Sequence, residues 1–173
     1  MEKYVPDLYQ KSIYTIDYNK LKNRGIKCLL FDLDNTIVPI KMKAPSNKVK
    51  ELFESLKHKG FKIVIFSNSP KSRLKPFKEQ LKVDCSASSK KPSIKKFNQV
   101  LNVYGYDVSE VAIIGDEMLT DILGGNKIGI TTVLVNPVGK KDFFFAAVRR
   151  KIEKRIMKKL RDRDLFSKGR YYE

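Results

Sequence analysis

The sequence predicts an α/β fold in which a Rossmann-like parallel sheet is sandwiched by helices. Short, continuously apolar runs alternate along the chain with longer segments that have apolar residues at helical spacing. This alternation is typical of βαβ units, which place helices on both faces of a parallel sheet. Several apolar runs also lead directly into polar residues, as expected where ligands bind beyond the carboxyl ends of the strands.

The predicted strands are the continuously apolar segments, because a strand that is buried on both faces lacks polar alternation. The first strand runs from Lys27 to Leu33 and contains the letters "CLLF". Three more strands lie within "FKIVIFSNS", "VAIIGD" and "ITTVLVNP". The stretch "VDCSASSKKP" predicts a further short strand or a turn.

Helices are predicted between these strands. The segment from Ser46 to Lys59 has apolar residues at helical spacing, and a short helix is expected from 71 to 81. The stretch "PSIKKFNQVLNVYG" predicts a helix that ends at Gly105. We expect a last helix of the core to begin near Leu119 and to be ended early by the Gly124-Gly125 pair.

Three regions are predicted along the chain. Residues 1–25 are expected to form an N-terminal arm packed on the core, residues 26–139 form the core, and residues 140–173 form a basic amphipathic C-terminal helix. The run Phe143-Phe144-Phe145 precedes an apolar side that is formed by Val148, Ile152, Ile156 and Leu160. Three interpretations fit it: a helix at a membrane interface, a helix packed on its own domain, or an RNA-binding tail.

The composition is that of a globular protein with a large excess of positive charge. The 173 residues include 36 Lys and Arg against 19 Asp and Glu, which gives a formal net charge of +17. Such a charge attracts polyanions, namely nucleic acid, an anionic membrane surface or phosphorylated substrates. A lysine-rich soluble surface without any partner gives the same composition.

The sequence shows no feature that predicts secretion or a membrane span. No apolar run has the length of a transmembrane helix, and the N-terminal stretch "MEKYVPDLYQKSIY" lacks the apolar core of a signal peptide. The two cysteines form neither a disulfide framework nor a metal-ligand spacing. We therefore expect a cytoplasmic protein, with peripheral binding to the inner face of a membrane as a further hypothesis.

Two carboxylates follow the first predicted strand. Asp32 and Asp34 are two residues apart, so their side chains point the same way at a strand end. Like charges at that range raise one pKa unless a cation compensates them. Mg²⁺ is often bound in this way, through one or two carboxylates together with phosphate oxygens and water. The pattern therefore predicts a ligand site that contains a cation.

The other strand ends add groups that suit a phosphate. Ser67 and Asn68 offer a hydroxyl and an amide, and Lys91 stands before a proline and a helix, where it can neutralise a phosphoryl group. Asp116 and Asp121 supply further oxygen ligands within "GDEMLTD". Because the carboxyl ends of parallel strands meet at one edge of the sheet, we expect these side chains to converge.

The stretches "DLDNT", "FSNS", "KKP" and "GDEMLTD" occur in this order, and they resemble motifs one to four of the haloacid dehalogenase (HAD) superfamily. The resemblance covers roughly residues 21 to 137. It implies a phosphatase, because the second aspartate of motif one, here Asp34, separates phosphatase-type members from dehalogenases.

The resemblance also implies roles for the motif residues. Asp32 would be the nucleophile that forms an aspartyl-phosphate, and Asp34 would be general acid to the leaving alkoxide and then general base toward water. Thr36 would fix the backbone at the strand end, and it would belong to the substrate-binding residues together with Ser67 and Asn68. Ser67 would donate a hydrogen bond to the phosphoryl oxygens, with Asn68 nearby.

Charge balance would come from a lysine and from Mg²⁺, the cofactor that the resemblance implies. Lys91 would neutralise Asp32 and the phosphoryl group, with Lys90 as an alternative that the sequence leaves open. The implied ligands of Mg²⁺ are Asp32, the backbone carbonyl of Asp34, and Asp116, with Asp121 in support.

The intervals between the motifs are too short for a cap domain. Such an open site suits a macromolecule or a headgroup at a membrane surface. The lead-in "PDLYQKSIYTID" and the stretches "SNS" and "KKP" resemble the YqeG-type phosphatases of HAD subfamily IIIA, which are similar to phosphatidylglycerophosphate phosphatases. The resemblance implies a phospholipid headgroup as substrate. The alternatives are a nucleic-acid end, a phosphoprotein, a soluble phosphate ester, or a non-enzymatic protein that binds RNA or ribosomes.

Overall fold

The computed structural model describes residues 1–139 and 146–173 of the chain. The expected parallel sheet between helices is confirmed. The strands are β1 (Leu8–Gln10), β2 (Cys28–Phe31), β3 (Lys62–Phe66), β4 (Asp84–Ser86), β5 (Val111–Gly115) and β6 (Thr131–Val135). The α-helices are α1 (Tyr18–Asn23), α2 (Asn47–His58), α3 (Lys71–Leu81), α4 (Lys95–Tyr104), α5 (Leu123–Ile128) and α6 (Ala146–Asp162).

The sheet has the strand order β1-β6-β5-β2-β3-β4, and every pair of neighbours is parallel. Strand β2 therefore lies between β3 and β5, with Phe31 level with Ile65 on one side and Ile114 on the other. As a result, the first residues beyond β2, β3 and β5 lie side by side at one edge of the sheet. This position makes β2 the strand from which a site can be built on both sides.

The continuously apolar strands are explained by cores on both faces of the sheet. Leu29 and Phe31 of β2 belong to a cluster on one face, where Phe53 of α2 packs. Leu30 belongs to the cluster on the other face, where Phe97 of α4 packs. Because all four residues of β2 are buried, the hydrophobic effect fixes this strand against rotation about its own axis.

The N-terminal region adds a strand to the sheet. Strand β1 pairs with β6, and Leu8 and Tyr9 are buried. On its other side, the backbone of Tyr9 exchanges two hydrogen bonds of 2.9 Å with the backbone of Tyr172. The C-terminal end of the chain thus covers the edge strand, whose free N–H and C=O groups would otherwise be exposed.

The prediction that Gly124 and Gly125 end a helix is wrong. A π-helical turn, Met118–Ile122, leads directly into α5, which runs through both glycines and ends at Gly129. A Cβ atom on Gly125 would lie 2.5 Å from the Cγ2 atom of Thr132 and 2.7 Å from that of Ile113. The glycines are therefore needed for close packing of α5 on the sheet and do not terminate the helix.

Helix α6 packs on the domain along only part of its apolar side. Leu160 is fully buried and Ile156 nearly so, in a cluster with Tyr9 and Leu134, whereas Val148 is 66% exposed. Ile152 is also exposed. The aromatic run 143–145 lies outside the described residues. Among the residues that are described, no helix combines the length and the apolar character needed to cross a bilayer.

We expect Gly125→Ala to lower the free energy of unfolding by about 1–3 kcal/mol, because its new methyl group overpacks the contact of α5 with β5 and β6. Lys127→Ala is the matched control, since Lys127 is exposed on the same helix and its replacement should stay within about 0.5 kcal/mol of the wild type. Urea unfolding measures both changes. Equal stability of the two variants would contradict the packing role of Gly125.

Candidate active site

The candidate site lies where β2, β3 and β5 end. Asp32 follows β2, Ser67 follows β3, and Asp116 follows β5. The side chains that the sequence predicted to converge are brought together here, although up to 89 positions separate Asp32 from Asp121. Residues 32–91 are all described. They contain α2, β3, α3, β4 and the segments that connect them, without an inserted domain.

Lys91 lies at the centre of the site. Its Nζ atom donates hydrogen bonds to Asp32 Oδ1 at 2.9 Å, to Asp121 Oδ1 at 2.6 Å and to the backbone carbonyl of Phe66 at 2.8 Å. Its side chain is only 2% exposed. The neighbouring Lys90 is exposed, so the geometry assigns the contact with Asp32 to Lys91.

Asn68 holds the backbone of Lys91 in place. The Asn68 side chain accepts a hydrogen bond from the Lys91 N–H at 2.8 Å and donates one to the Lys91 carbonyl at 3.2 Å. The sequence predicted Asn68 as a phosphate ligand. In the structure both ends of its amide are engaged with the main chain of Lys91, and the side chain positions the lysine.

Three carboxylates form the acidic part of the site. One oxygen each from Asp32, Asp116 and Asp121 lie within 4.8 Å of one another. With all three ionised and Lys91 protonated, three negative charges and one positive charge leave a net charge of −2. Hard carboxylate oxygens at this spacing suit a divalent cation of the Mg²⁺ class, whose charge would balance the site.

The electrostatics of the buried groups reflect this charge pattern. Burial raises the pKa of the Asp32 carboxyl above its ordinary value, and the Asp121 carboxylate raises it further, while Lys91 opposes both. Burial likewise raises the pKa of Asp121 against the opposing effect of Lys91. Burial alone would lower the pKa of Lys91, but Asp121 and Asp32 outweigh this effect, so the pKa is raised and the ammonium group stays charged.

Asp121 depends on a glycine that the sequence analysis did not identify. A Cβ atom on Gly115, the last residue of β5, would lie 2.1 Å from Asp121 Oδ2. The same oxygen accepts a hydrogen bond of 3.2 Å from the Glu117 N–H. Gly115 thus leaves the space in which a fully buried carboxylate reaches Lys91. A glycine at the end of an apolar strand was the available signal, because it often marks a close approach.

The carboxylate of Asp34 lies apart from this cluster. Its Oδ1 atom accepts hydrogen bonds from Arg73 Nε at 3.1 Å and Nη2 at 3.0 Å, and its Oδ2 atom accepts one from Ser69 Oγ. Arg73 also donates to the carbonyl of Met42 in the loop that follows β2. Arg73 therefore links the Asp34 side chain to the loop that follows β2.

Arg73 and Ser69 were not predicted from the sequence as residues of the site. A signal for Arg73 existed, because a cation in the first turn of a helix is unfavourable to the helix dipole and needs another reason. Ser69 stands inside the quoted stretch "FSNS". Its role could not be read from spacing, since its hydroxyl meets a residue 35 positions away.

The remaining predicted residues also support other groups of the site. The Thr36 hydroxyl donates to Asp116 Oδ1 at 3.0 Å, so it orients a carboxylate of the acidic cluster. Ser67 is buried, and its Oγ atom accepts a hydrogen bond from the Ser69 N–H at 3.1 Å. Contacts of Thr36 and Ser67 with a phosphate remain predictions.

The chain is similar to known phosphatases. Residues 1–139 match the family model described as mitochondrial PGP phosphatase. The chain is 37% identical to "Probable phosphatase YqeG" of Bacillus subtilis over 91% of this chain and 92% of that protein. It is 29% identical to the Arabidopsis thaliana protein "Phosphatidylglycerophosphate phosphatase 1, chloroplastic/mitochondrial", over 84% of this chain but only 45% of that longer protein.

A solved structure shows the same fold at low sequence identity. It is D,D-heptose 1.7-bisphosphate phosphatase from B. bronchiseptica, complexed with magnesium and phosphate, with a TM-score of 0.52 and 14% identity. The match covers 75% of this chain and 99% of that one. The chain therefore belongs to the PGP phosphatase family, and it is similar to a YqeG phosphatase over most of its length.

Proposed function

We propose that this phosphatase is a Mg²⁺-dependent phosphomonoesterase that acts through an aspartyl-phosphate on Asp32, and that its substrate is phosphatidylglycerophosphate. The observation that carries the chemistry is the position of Asp32. It is bound to Lys91 and lies beside Asp116 and Asp121 at the end of the central strand. A carboxylate next to a fixed ammonium can approach a phosphate that would otherwise repel it.

The first step transfers the phosphoryl group to the protein. A carboxylate oxygen of Asp32 forms a bond to phosphorus, and the bond from phosphorus to the alkoxide of the substrate breaks. The leaving oxygen takes a proton from Asp34. Lys91 stays protonated throughout and neutralises charge on Asp32 and the phosphoryl oxygens.

The second step returns Asp32 to its free state. Water attacks the phosphorus of the aspartyl-phosphate, Asp34 accepts the proton of that water, and the bond from phosphorus to Asp32 breaks. Arg73 and Ser69 hold the Asp34 side chain through three hydrogen bonds, so its position is defined for both steps. In the first step Asp34 carries the proton that it passes to the leaving oxygen, and in the second step it takes a proton back from water.

The metal would be held by Asp32, Asp116 and Asp121, with the backbone carbonyl of Asp34 as the further ligand implied by the HAD resemblance. When bound, Mg²⁺ supplies positive charge to the phosphoryl oxygens and compensates the acidic cluster. Thr36 and Lys91 fix two of these carboxylates through hydrogen bonds. The protein therefore presents ligands that are already oriented.

Three features support a phospholipid substrate. Relatives of the chain carry the name phosphatidylglycerophosphate phosphatase, and no domain is inserted within residues 32–91 to enclose a small metabolite. Val148 and Ile152 are exposed on α6 among lysines and arginines. A basic helix with exposed apolar residues can bind an anionic membrane surface, where the headgroup of the substrate is presented.

Phosphate release from a panel of substrates tests the proposal. The panel contains phosphatidylglycerophosphate, a 5′-phosphorylated oligonucleotide, a phosphopeptide and a soluble sugar phosphate, each with Mg²⁺ and with a chelator. We expect the highest kcat/KM for phosphatidylglycerophosphate and loss of activity when Mg²⁺ is removed. Faster turnover of another substrate would replace the lipid, and full activity in chelator would contradict the metal requirement.

We expect Asp32→Asn to lower kcat by roughly 10³-fold or more, because an amide cannot attack phosphorus. Asp164→Asn is the control, since the Asp164 side chain is 94% exposed and lies outside the site. Trapping of a radiolabelled phosphoryl group by acid quench should succeed with the wild type and fail with Asp32→Asn. Unchanged turnover of Asp32→Asn would exclude the covalent mechanism.

Replacement of Lys91 by Met should lower the free energy of unfolding by about 3–5 kcal/mol and abolish activity, because buried carboxylates lose their counterion. The control is Lys90→Met, the exposed neighbour, which should stay within about 0.5 kcal/mol of the wild type. Urea unfolding in chelator and phosphate release measure the two effects. Equal effects of both substitutions would show that Lys91 does not have this role.

A further inference from the structure

A cavity adjoins the acidic cluster of Asp32, Asp116 and Asp121. It has a volume of about 680 Å³ and lies between the end of β6 and α6, and Asp116 is part of its wall. Leu134, Met157 and Phe166 give it apolar surface, and Asn136 adds an amide. Because Asp116 belongs to both, a ligand in this cavity is adjacent to a group bound at Asp32.

Positive charge on this cavity comes from one side of α6. Lys154, Lys158 and Arg161 are spaced four and three residues apart, which places them on one face of a helix, and all three line the cavity. Lys168 lines it as well, while Glu153 and Asp116 are its acidic groups. The side chains of the basic residues are exposed at the rim, so their effect on a ligand adds up from several modest contributions.

The orientation of this basic face is fixed by packing. On the neighbouring side of α6, Ile156 and Leu160 are buried against the domain. The helix therefore cannot rotate without exposing two large apolar side chains to water, which the hydrophobic effect opposes. The lysines and the arginine of α6 therefore line a fixed side of the cavity.

We propose that this cavity is the subsite for the phosphodiester group of the substrate, with its apolar surface against the adjoining glycerol and the first carbons of the acyl chains. The inference rests on the proposed function. Phosphatidylglycerophosphate carries a terminal monoester and, one glycerol unit away, a phosphodiester. With the monoester at Asp32, the cavity that includes Asp116 offers Lys158 and Arg161 to the diester, which is one glycerol unit away in the substrate.

The basic side of the cavity, on α6, lies outside the part of the chain that matches the family model, because that match ends at residue 139 and α6 begins at Ala146. The nucleophile and the acidic cluster belong to the matched part. The structure thus separates the residues for phosphoryl transfer from the residues that select a substrate with two phosphates.

The test compares two pairs of substitutions on α6. The first is Lys158→Gln with Arg161→Gln, and the control is Arg155→Gln with Lys159→Gln, which removes one lysine and one arginine from exposed positions outside the cavity. The substrates are a short-chain phosphatidylglycerophosphate below its micelle concentration and p-nitrophenyl phosphate, which has no diester. We expect the first pair to lower the ratio of kcat/KM for the lipid to that for p-nitrophenyl phosphate by about tenfold. The control pair should leave this ratio unchanged.

A binding measurement makes the test independent of turnover. Calorimetry with monomeric short-chain phosphatidylglycerol, which carries the diester without the monoester, should show weaker binding to the first pair than to the wild type and the control. If this difference appears without any phosphatase activity, the proposed function fails and the subsite stands. Equal binding by all three proteins overturns the subsite. An equal loss of activity on both substrates in the first pair overturns it as well.

Two further outcomes are decided by the same proteins. If both pairs lose activity on substrate in anionic vesicles but neither loses it on monomeric substrate, the basic residues serve membrane attraction and the subsite is overturned. If the first pair unfolds, as shown by its melting temperature, Lys158→Met with Arg161→Lys replaces it. That variant keeps the aliphatic parts of both side chains and should still lower the ratio.

Discussion

The site depends on one buried ammonium group. Lys91 binds Asp32 and Asp121 at the same time while its side chain is almost completely removed from water. In such a place a charge is tolerated only when it is paired and hydrogen-bonded, and loss of one partner leaves the other uncompensated. The three hydrogen bonds of its Nζ atom fix Asp32, Asp121 and the end of β3 relative to one another.

The rest of the fold serves to bring these groups together. Strand β2 occupies the middle of the sheet, so Asp32 has a strand end on each side of it. On one side, Gly115 is the last residue of β5 and leaves room for the Asp121 carboxylate. Asp121 belongs to the π-helical turn that follows β5. On the other side, Asn68 follows β3 and binds the backbone of Lys91. Each contact crosses between elements that are distant in sequence.

This dependence on distant contacts explains what could be predicted from the sequence. The sheet and the set Asp32, Lys91, Asp116 and Asp121 followed from apolar runs and the polar residues at their ends, which are local patterns. The choice of Lys91 over Lys90 required tertiary structure, because both neighbours are lysines and only burial distinguishes them. The glycines of α5 were misread for a similar reason, since a glycine that terminates a helix and one that admits a strand side chain look alike in sequence.

The absence of an inserted domain within residues 32–91 has a consequence for selectivity. In the proposed reaction the core would contact the phosphoryl group through Asp32 and Lys91, and these contacts would be the same for any phosphomonoester. Discrimination among substrates would then come from surfaces next to the acidic cluster. On the β6 side that surface is α6, which is held by Ile156 and Leu160 and turns lysines and an arginine toward the cavity at Asp116. Because those cations remain partly solvated, in the proposed subsite they would select a substrate by the number and the spacing of its negative charges. A substrate with two phosphates joined by a glycerol satisfies both requirements, whereas a simple monoester engages only the core.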